Sequence, residues 1–553
     1  MINSNKFLIM KNISILAVLI LVVTLASCDK SFIERPSLSG ASVSNYYNTA
    51  DEVRAATSTL YSGLAWAGYE NRAMDAIGEV MSGNELTGGT DDPPFQQLTI
   101  SATSVRLQDC WKSLYKINGW TSSLIATLEQ KKLEGGDASF LDPAIAECHF
   151  LRGTVYFFIG RMWGDAPIVT DPGKIALTGD FGIPRYFKAD VLRFALEELQ
   201  LAEAGLPETD VPGRVTKYSA KGMMAKLYLY NKDYANAKLK AGEVITYATA
   251  SGTYGLFDDY AGMFNSSANN NNIESLFSIQ HQCTGNPWGS GNQLNPDRGP
   301  SNLQTNESSM WELYRPSLDL LAEFEVGDKR RAGSVMEHGW KMASWKPKKL
   351  PQDDGSFKPD DKAYNDFMAA GFKFDTIQAG TQGGITNGTR SNIAKYVVGP
   401  GTSYGGEQVI GMNTGINFML LRYADILLIY AEATLGNQAS TSDAAALTAF
   451  NAVRQRAQLP TRSPITLDDI LHERRVELAF EGDYWFDIQR QGFAKAKQII
   501  EAQNRGTVGN TPTWSVPVYI TTFSESMMHL PIPASEALQD AELLNPAVPY
   551  YNK

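Results

Sequence analysis

A mainly α fold, built from paired helices and interrupted by one loop-rich, partly β insertion, is predicted by three stretches of the sequence. Residues 213–245 (GRVTKYSAKGMMAKLYLYNKDYANAKLKAGEVI) read as two helices joined by a tight turn at Asn231-Lys232-Asp233. Residues 422–435 and 442–459 repeat that arrangement later in the chain. Between them, from 254 to 416, Gly, Pro and Asn become frequent. Apolar pieces there shrink to strand length, as in Leu276-Phe277-Ser278-Ile279.

The chain has 553 residues, 43% of them hydrophobic and 20% charged, so a large core is within reach. A net charge of −11 disfavours nucleic acid and anionic membrane surfaces as partners. The first 27 residues read as a targeting segment, with Lys6 and Lys11 ahead of an apolar run too short to span a bilayer comfortably. That run ends in Leu25-Ala26-Ser27-Cys28, which is similar to a bacterial lipobox, so Cys28 is expected to become a lipidated N-terminus. Residues 28–50, rich in Ser with Pro36 and Gly40, read as a tether. Cys110, Cys148 and Cys283 form no disulfide framework and are expected to be buried and free.

The helical part begins at Asp51, taken as the cap of a run reaching about Trp66. A Gly-, Asp- and Pro-rich loop comes next at 82–97, then a second helix at 105–131. Pro143 is expected to open the next helix, because the first turn tolerates proline. That helix is strongly apolar and ends at Gly164, although Gly153 stands where a better helix former is expected. An amphipathic helix covers 186–206. In the hairpin beyond it, Tyr228, Tyr234, Ala237 and Ala241 fall where a tetratricopeptide repeat places its aromatic and small residues. An unrelated αα-hairpin would share the pattern.

Residues 465–490 (ITLDDILHERRVELAFEGDYWFDIQR) read as a helix with both ends marked. Thr466 and Asp469 make a capping box, Ile465 and Ile470 a hydrophobic staple, and Gly482 a left-handed stop. Leu467, Leu471 and Leu478 form one stripe, with Arg474 on it and therefore turned inward. Glu473, Glu477 and Glu481 form a row of like charges that repel, so cations from elsewhere in the chain are expected to meet them. The stretch is expected to be a structural ion-pair network rather than a catalytic centre, since no nucleophile or metal-ligand pattern lies near it.

Several of these stretches together resemble the SusD/RagB family, the outer-membrane glycan-capture lipoproteins of Bacteroidetes. They are residues 465–490, the Phe150-Leu151-Arg152 helix closed by Gly164-Asp165-x-Pro167, both hairpins, residues 530–537 and the Asn545-Pro546 tail. The resemblance implies a SusD-like α/α fold with 51–253 and 417–553 as its helical parts and 254–416 as a variable ligand-binding segment. It implies capture of an oligosaccharide or polysaccharide and delivery to a SusC-like TonB-dependent transporter in the outer membrane, with no cofactor and no catalysis. Capture of peptides or other nutrients by the same route, a surface glycoside hydrolase, and a pure assembly protein are the rival readings. The ligand is expected between the early loop and the inserted segment. Asp91 and Asp92 would accept from sugar hydroxyls there, and Phe95 would offer an apolar contact. Trp288, Trp311 and Trp345 stand in polar, Gly/Pro-rich surroundings that suit sugar platforms.

Three other patterns are set aside. Gly401-Thr402-Ser403-Tyr404-Gly405 matches a nucleophile elbow, but Gly405-Gly406 and the residues beyond are not a helix start. The five histidines have no His or Cys neighbour at metal-site spacing. Lys341, Lys346, Lys348 and Lys349 around Trp345 read as a solvated loop, with an acidic-sugar site as the sharper alternative.

Overall fold

The computed structural model describes residues 46–300, 310–337, 339–342, 372–373, 391–398, 408–511 and 514–551. Cys28, Trp345, Tyr404 and the Gly401-to-Gly405 pattern lie outside them, as do the side chains of the Lys341-to-Lys349 cluster.

Helices dominate. The first run is shorter than expected: α1 (Ala50–Ser58) is capped by Thr49, with Glu52 completing a capping box. The chain breaks at Ser62, which turns extended, and Gly63 N donates to the Gln280 carbonyl at 3.0 Å. A new helix, α2 (Gly63–Glu70), begins there. Next comes α3 (Val105–Leu133), then α4 (Ala138–Trp163). Asp137 caps α4 by accepting from Ser139 N at 2.8 Å, so this helix starts ahead of Pro143 rather than at it. From Ala144 onward almost every α4 side chain is buried, and α4 packs between α3 and α5 (Lys188–Gly205). Gly153 is required by the α4–α5 crossing. A Cβ there would lie 2.9 Å from the Ala195 carbonyl oxygen.

The expected hairpin forms as α6 (Lys217–Tyr230) and α7 (Tyr234–Ser251), with Ala237 and Ala241 fully buried. The second hairpin is α9 (Tyr423–Leu435) with α10 (Ala444–Arg456), a five-residue helix α8 (Leu294–Arg298) preceding it in the insertion. α7 packs on α9, so the two hairpins stack in space although the insertion separates them in sequence. The insertion leaves and returns at one place. Strand β2 (Ser275–Ile279) pairs antiparallel with β8 (Phe418–Arg422), Phe418 opposite Ile279. Shorter strands lie before or between these two. They include β1 (Glu85–Thr87), β3 (Tyr314–Pro316), β4 (Val335–Met336), β5 (Asn392–Ile393) and the two strands of one hairpin, β6 (Val409–Ile410) and β7 (Asn413–Thr414).

The C-terminal helix α11 (Leu467–Glu477) has the expected capping box, Thr466 with Asp469, and both Ile465 and Ile470 are buried. It stops at Leu478 instead of reaching Gly482. Cations take the carbonyls at and just past its end: Glu477 O accepts from Arg422 Nη2 at 2.6 Å, Ala479 O from Lys395 at 2.9 Å and Phe480 O from Arg298 at 2.9 Å. The chain turns through left-handed Phe480 (φ 67°) and Gly482 (φ 83°) into α12 (Tyr484–Arg490), with α13 (Phe493–Ala502) after it. The face turned inward is also different. Leu467 and Leu471 are only half-buried, whereas Glu473 and Glu477 are fully buried.

The glutamate row finds the cations it needs. Glu473 accepts from Arg330 at 2.6 Å and Arg454 at 2.9 Å. Glu477 accepts from Arg330 at 3.0 Å and is bound by Arg422 and Arg456. Glu481 accepts from Lys395 and Arg422, each at 2.7 Å. Burial pushes the Glu477 carboxyl up, but Arg456, Arg422 and Arg330 together hold it well below the usual carboxylate range. Arg474 turns inward to Asp425 at 2.7 Å and Asp487 at 2.9 Å. Ligand atoms of Glu325, His472 and Glu473 lie within 4.8 Å of one another, as a metal would require. Arg454 already bridges the two glutamates there, at 2.7 and 2.9 Å. The three described cysteines are buried and free.

Candidate functional site

The early loop and the insertion are stitched together. β1 pairs antiparallel with β3, Thr87 opposite Tyr314, and Gly88 N donates to the Leu313 carbonyl at 2.8 Å. Asp92 sits beneath this seam and is fully buried. It accepts from Arg106 Nε and from the Tyr314 hydroxyl, both at 2.8 Å. Phe95, in the short helix Pro93–Gln96, is also fully buried. Both were expected at the ligand. Instead Asp92 cross-links the loop to α3 and β3, and Phe95 anchors it in the core. Asp91 faces outward, its side chain 56% exposed and 3.6 Å from Arg106 Nη2.

Trp288 and Trp311 come together. Their rings stack with centroids 5.7 Å apart and planes 13° from parallel. Trp288 is 49% exposed and Trp311 36%, so the pair lies open on the surface. Each ring has a built seat. Trp288 rides a loop closed by Gln282 N donating to Ser290 O at 2.9 Å, with Ser290 Oγ returning to Gln282 O at 2.8 Å. Its indole lies against Gly411, at the turn of the β6–β7 hairpin. A Cβ on Gly411 would approach Trp288 Nε1 to 2.9 Å, and its φ of +55° is left-handed, so glycine is required twice over. Trp311 N donates to the Pro296 carbonyl of α8 at 2.8 Å. The Arg72 guanidinium lies 5.0 Å from the centre of the Trp311 ring. Arg72 is held by Asp297 of α8, from Nε at 3.1 Å and Nη2 at 3.0 Å. Neither Arg72 nor Asp297 carries any mark in the sequence that would single it out.

Below the pair lies an acid-rich interior. Asp75, Glu79, Glu85 and Asp297 are all fully buried. Arg298, also buried, binds Asp75 and lies 3.7 Å from Glu85. Among the described residues no hydrogen-bond donor reaches either Glu85 oxygen. Burial, with Asp75 adding to it, pushes the Glu85 carboxyl well up. Burial likewise raises Asp75 against the pull of Arg298, and lifts Glu79 and Asp297 to about 7.

A groove of about 1370 Å³ runs between the two hairpins and is lined by Tyr218, Tyr247, Leu427 and Tyr430. Its Tyr218 and Tyr247 rings already stack on each other, centroids 3.6 Å apart. The tryptophan pair is the more open of the two, with Trp288 49% and Trp311 36% exposed.

A model of the SusD family matches residues 273–551. A SusD-like protein of Bacteroides ovatus is 27% identical, the alignment covering 95% of this chain and 96% of that one. A crystal structure with xylogluco-oligosaccharide is similar over 91% of this chain and 99% of its own, with 27% identity and a TM-score of 0.73. A laminarin binding SusD-like protein shares the fold, at 22% identity and a TM-score of 0.66 over 89% of this chain and 98% of its own. The family match runs through the insertion and the C-terminal helices, the parts that seat Trp288, Trp311 and Gly411, and by it the chain belongs to the SusD family.

Proposed function

We propose that this protein captures an oligosaccharide or polysaccharide at the cell surface and passes it to a SusC-like TonB-dependent outer-membrane transporter, making and breaking no bond. The open, rigidly seated Trp288–Trp311 pair carries this reading. A sugar ring has an apolar face that stacks on an indole, and hydroxyls that a carboxylate such as Asp91 accepts from. The likeness to a structure with xylogluco-oligosaccharide supports it. Trp345 stays in the proposed site on its sequence context alone. Asp91 and Asp92 both lie against Arg106, which is not the facing carboxylate pair a glycosidase needs. Residues 254–416 are proposed as the ligand-binding segment, and Cys28 as the lipid anchor holding the protein on the outer membrane, facing the exterior. No helix among the described residues is long and apolar enough to cross a membrane.

The test is calorimetric binding of laminarin and xyloglucan oligosaccharides to Asp91→Ala, Trp288→Ala, Trp311→Ala and Trp345→Ala, with melting temperatures measured alongside. Loss of a true platform should cost about 1–3 kcal/mol, by analogy with stacking on nucleobases. Four folded variants that all bind like wild type would place the site elsewhere. Cys28→Ala should abolish acyl labelling, and the wild-type protein should co-purify with a transporter barrel from solubilised outer membranes.

A further inference from the structure

Asp297 is fully buried, and its contacts lead to the tryptophan pair. Its carboxylate holds Arg72, whose guanidinium lies beside the Trp311 ring. The same turn of α8 holds Trp311 by its backbone: Pro296 O accepts from Trp311 N at 2.8 Å, and Asp297 O from Leu313 N at 2.7 Å. Arg72 has a φ of +65°, in the left-handed region. A residue with a Cβ stays there only where its surroundings hold it. Asp297 grips the Arg72 side chain, while Ala76 N donates to the Arg72 carbonyl at 2.8 Å.

We propose that Asp297 is a positioning residue for the platform, acting through Arg72, and that its charge sets whether Trp311 and Trp288 keep their ligand-ready stack. Protonation weakens the charge-assisted bonds to Arg72, which then leaves its strained conformation and the Trp311 ring. Ligand affinity is therefore linked to protons. The groups facing Asp297 are Arg72 from the turn after α2, Asp75 from the helical turn Asp75–Val80, Arg106 from α3 and Tyr314 from β3. Behind them stand Arg298, Glu79, Glu85, Asp92 and Glu70, the last with His281 3.1 Å away. The carboxylates Glu70, Asp75, Glu79, Glu85, Asp92 and Asp297 outnumber the arginines Arg72, Arg106 and Arg298 in this neighbourhood. Burial raises Asp297 to about 7 against the pull of Arg72, with Asp75 pushing the same way as burial. Its charge thus changes near neutrality, present above that pH and lost below it.

The platform arm of the test needs no glycan; only the affinity arm rests on the proposed function. The whole protein is labelled with 5-fluorotryptophan, Trp288→Phe and Trp311→Phe assign the two resonances, and fluorine NMR tracks them from about pH 8.5 to about pH 5.5. In wild type both resonances should move together with a midpoint near 7. In Asp297→Asn they should rest at their acid positions without titrating, and Asp297→Glu should restore the titration. Arg72→Gln, which keeps the Asp297 carboxyl but cuts its link to Trp311 and pushes it further up, should likewise remove the movement. Wild-type resonances that stay flat, or a titration that survives in Asp297→Asn, would overturn the proposal. Affinity for laminarin or a xyloglucan oligosaccharide should fall about tenfold for each pH unit below the midpoint. Titrating resonances with no binding of any glycan would sink the proposed function and leave the positioning role standing. Binding that is indifferent to pH would do the reverse.

Discussion

Two charged interiors meet in this molecule, and they solve the burial of carboxylates in opposite ways. Around Glu473, Glu477 and Glu481, four arginines and Lys395 surround the acids, and Glu477 stays ionised. Around Asp75, Glu79 and Glu85, Arg298 is the buried cation bound among the described residues, and burial raises all three carboxyls, Glu79 to about 7. The two adjoin, since Glu79 Oε1 accepts from Gly482 N at 2.6 Å. What separates them is supply of cations, not depth, for the acids of both are almost fully buried. A well-supplied buried acid acts as a fixed strut. An under-supplied one keeps a proton near physiological pH, and that interior is the one beneath the tryptophan pair.

The largest expected effect breaks the supplied side. Arg422→Met leaves Glu274, Glu477 and Glu481 short of their shared cation and should cost about 3–5 kcal/mol in urea unfolding. A loss within experimental error would mean the cluster is solvated. Next, Glu477→Gln and Glu85→Gln should differ in sign near pH 8. The first removes a charge that Arg330, Arg422 and Arg456 depend on and destabilises the fold. The second removes an acid that must hold a proton when buried, and it should stabilise at pH 8 with the gain shrinking toward acid. Matching signs would erase the contrast between the regions.

The wild-type pH profile should show both behaviours. Glu79 and Asp297 are raised in the fold to about 7, so their contribution is fully present below ordinary carboxylate values and is lost as pH rises through about 7. Glu477 is lowered, so its contribution is present above its unfolded value and is lost as pH falls through its depressed folded value. Chemical unfolding should therefore find stability rising from about pH 8 to about pH 5, then falling in stronger acid. A flat profile over the upper range would remove the acid-rich interior as a proton store. The smallest effect is local: Thr466→Ala should cost about 1 kcal/mol, by loss of the α11 capping box alone.

The Thr466–Asp469 capping box, the hairpins and the Gly164 stop were legible because each is written in residues a few positions apart, whereas Thr49 and Asp137 took the caps expected at Asp51 and near Pro143. The need of Glu473, Glu477 and Glu481 for outside cations was legible too, as local repulsion, while the identity of those cations was not. At the early end of α11, Arg422, Lys395 and Arg298 arrive from distant segments to take the carbonyls of Glu477, Ala479 and Phe480, and no local pattern announces them. The proposed site was half visible. Exposed tryptophans in polar context could be picked out, but Asp92 and Phe95 look like surface-loop residues until Arg106, Tyr314 and the core close over them.

By itself the sequence determined which segments are helices, where the repeat hairpins lie, and which family pattern they match, since backbone preference and hydrophobic period act over a few residues. Only the tertiary structure decided that Trp288 stacks on Trp311, that Arg72 joins them, and that Asp297 holds a marginal charge. Those facts depend on burial and on partners hundreds of residues apart, and both burial and Coulomb energy are properties of the assembled interior rather than of any stretch of chain.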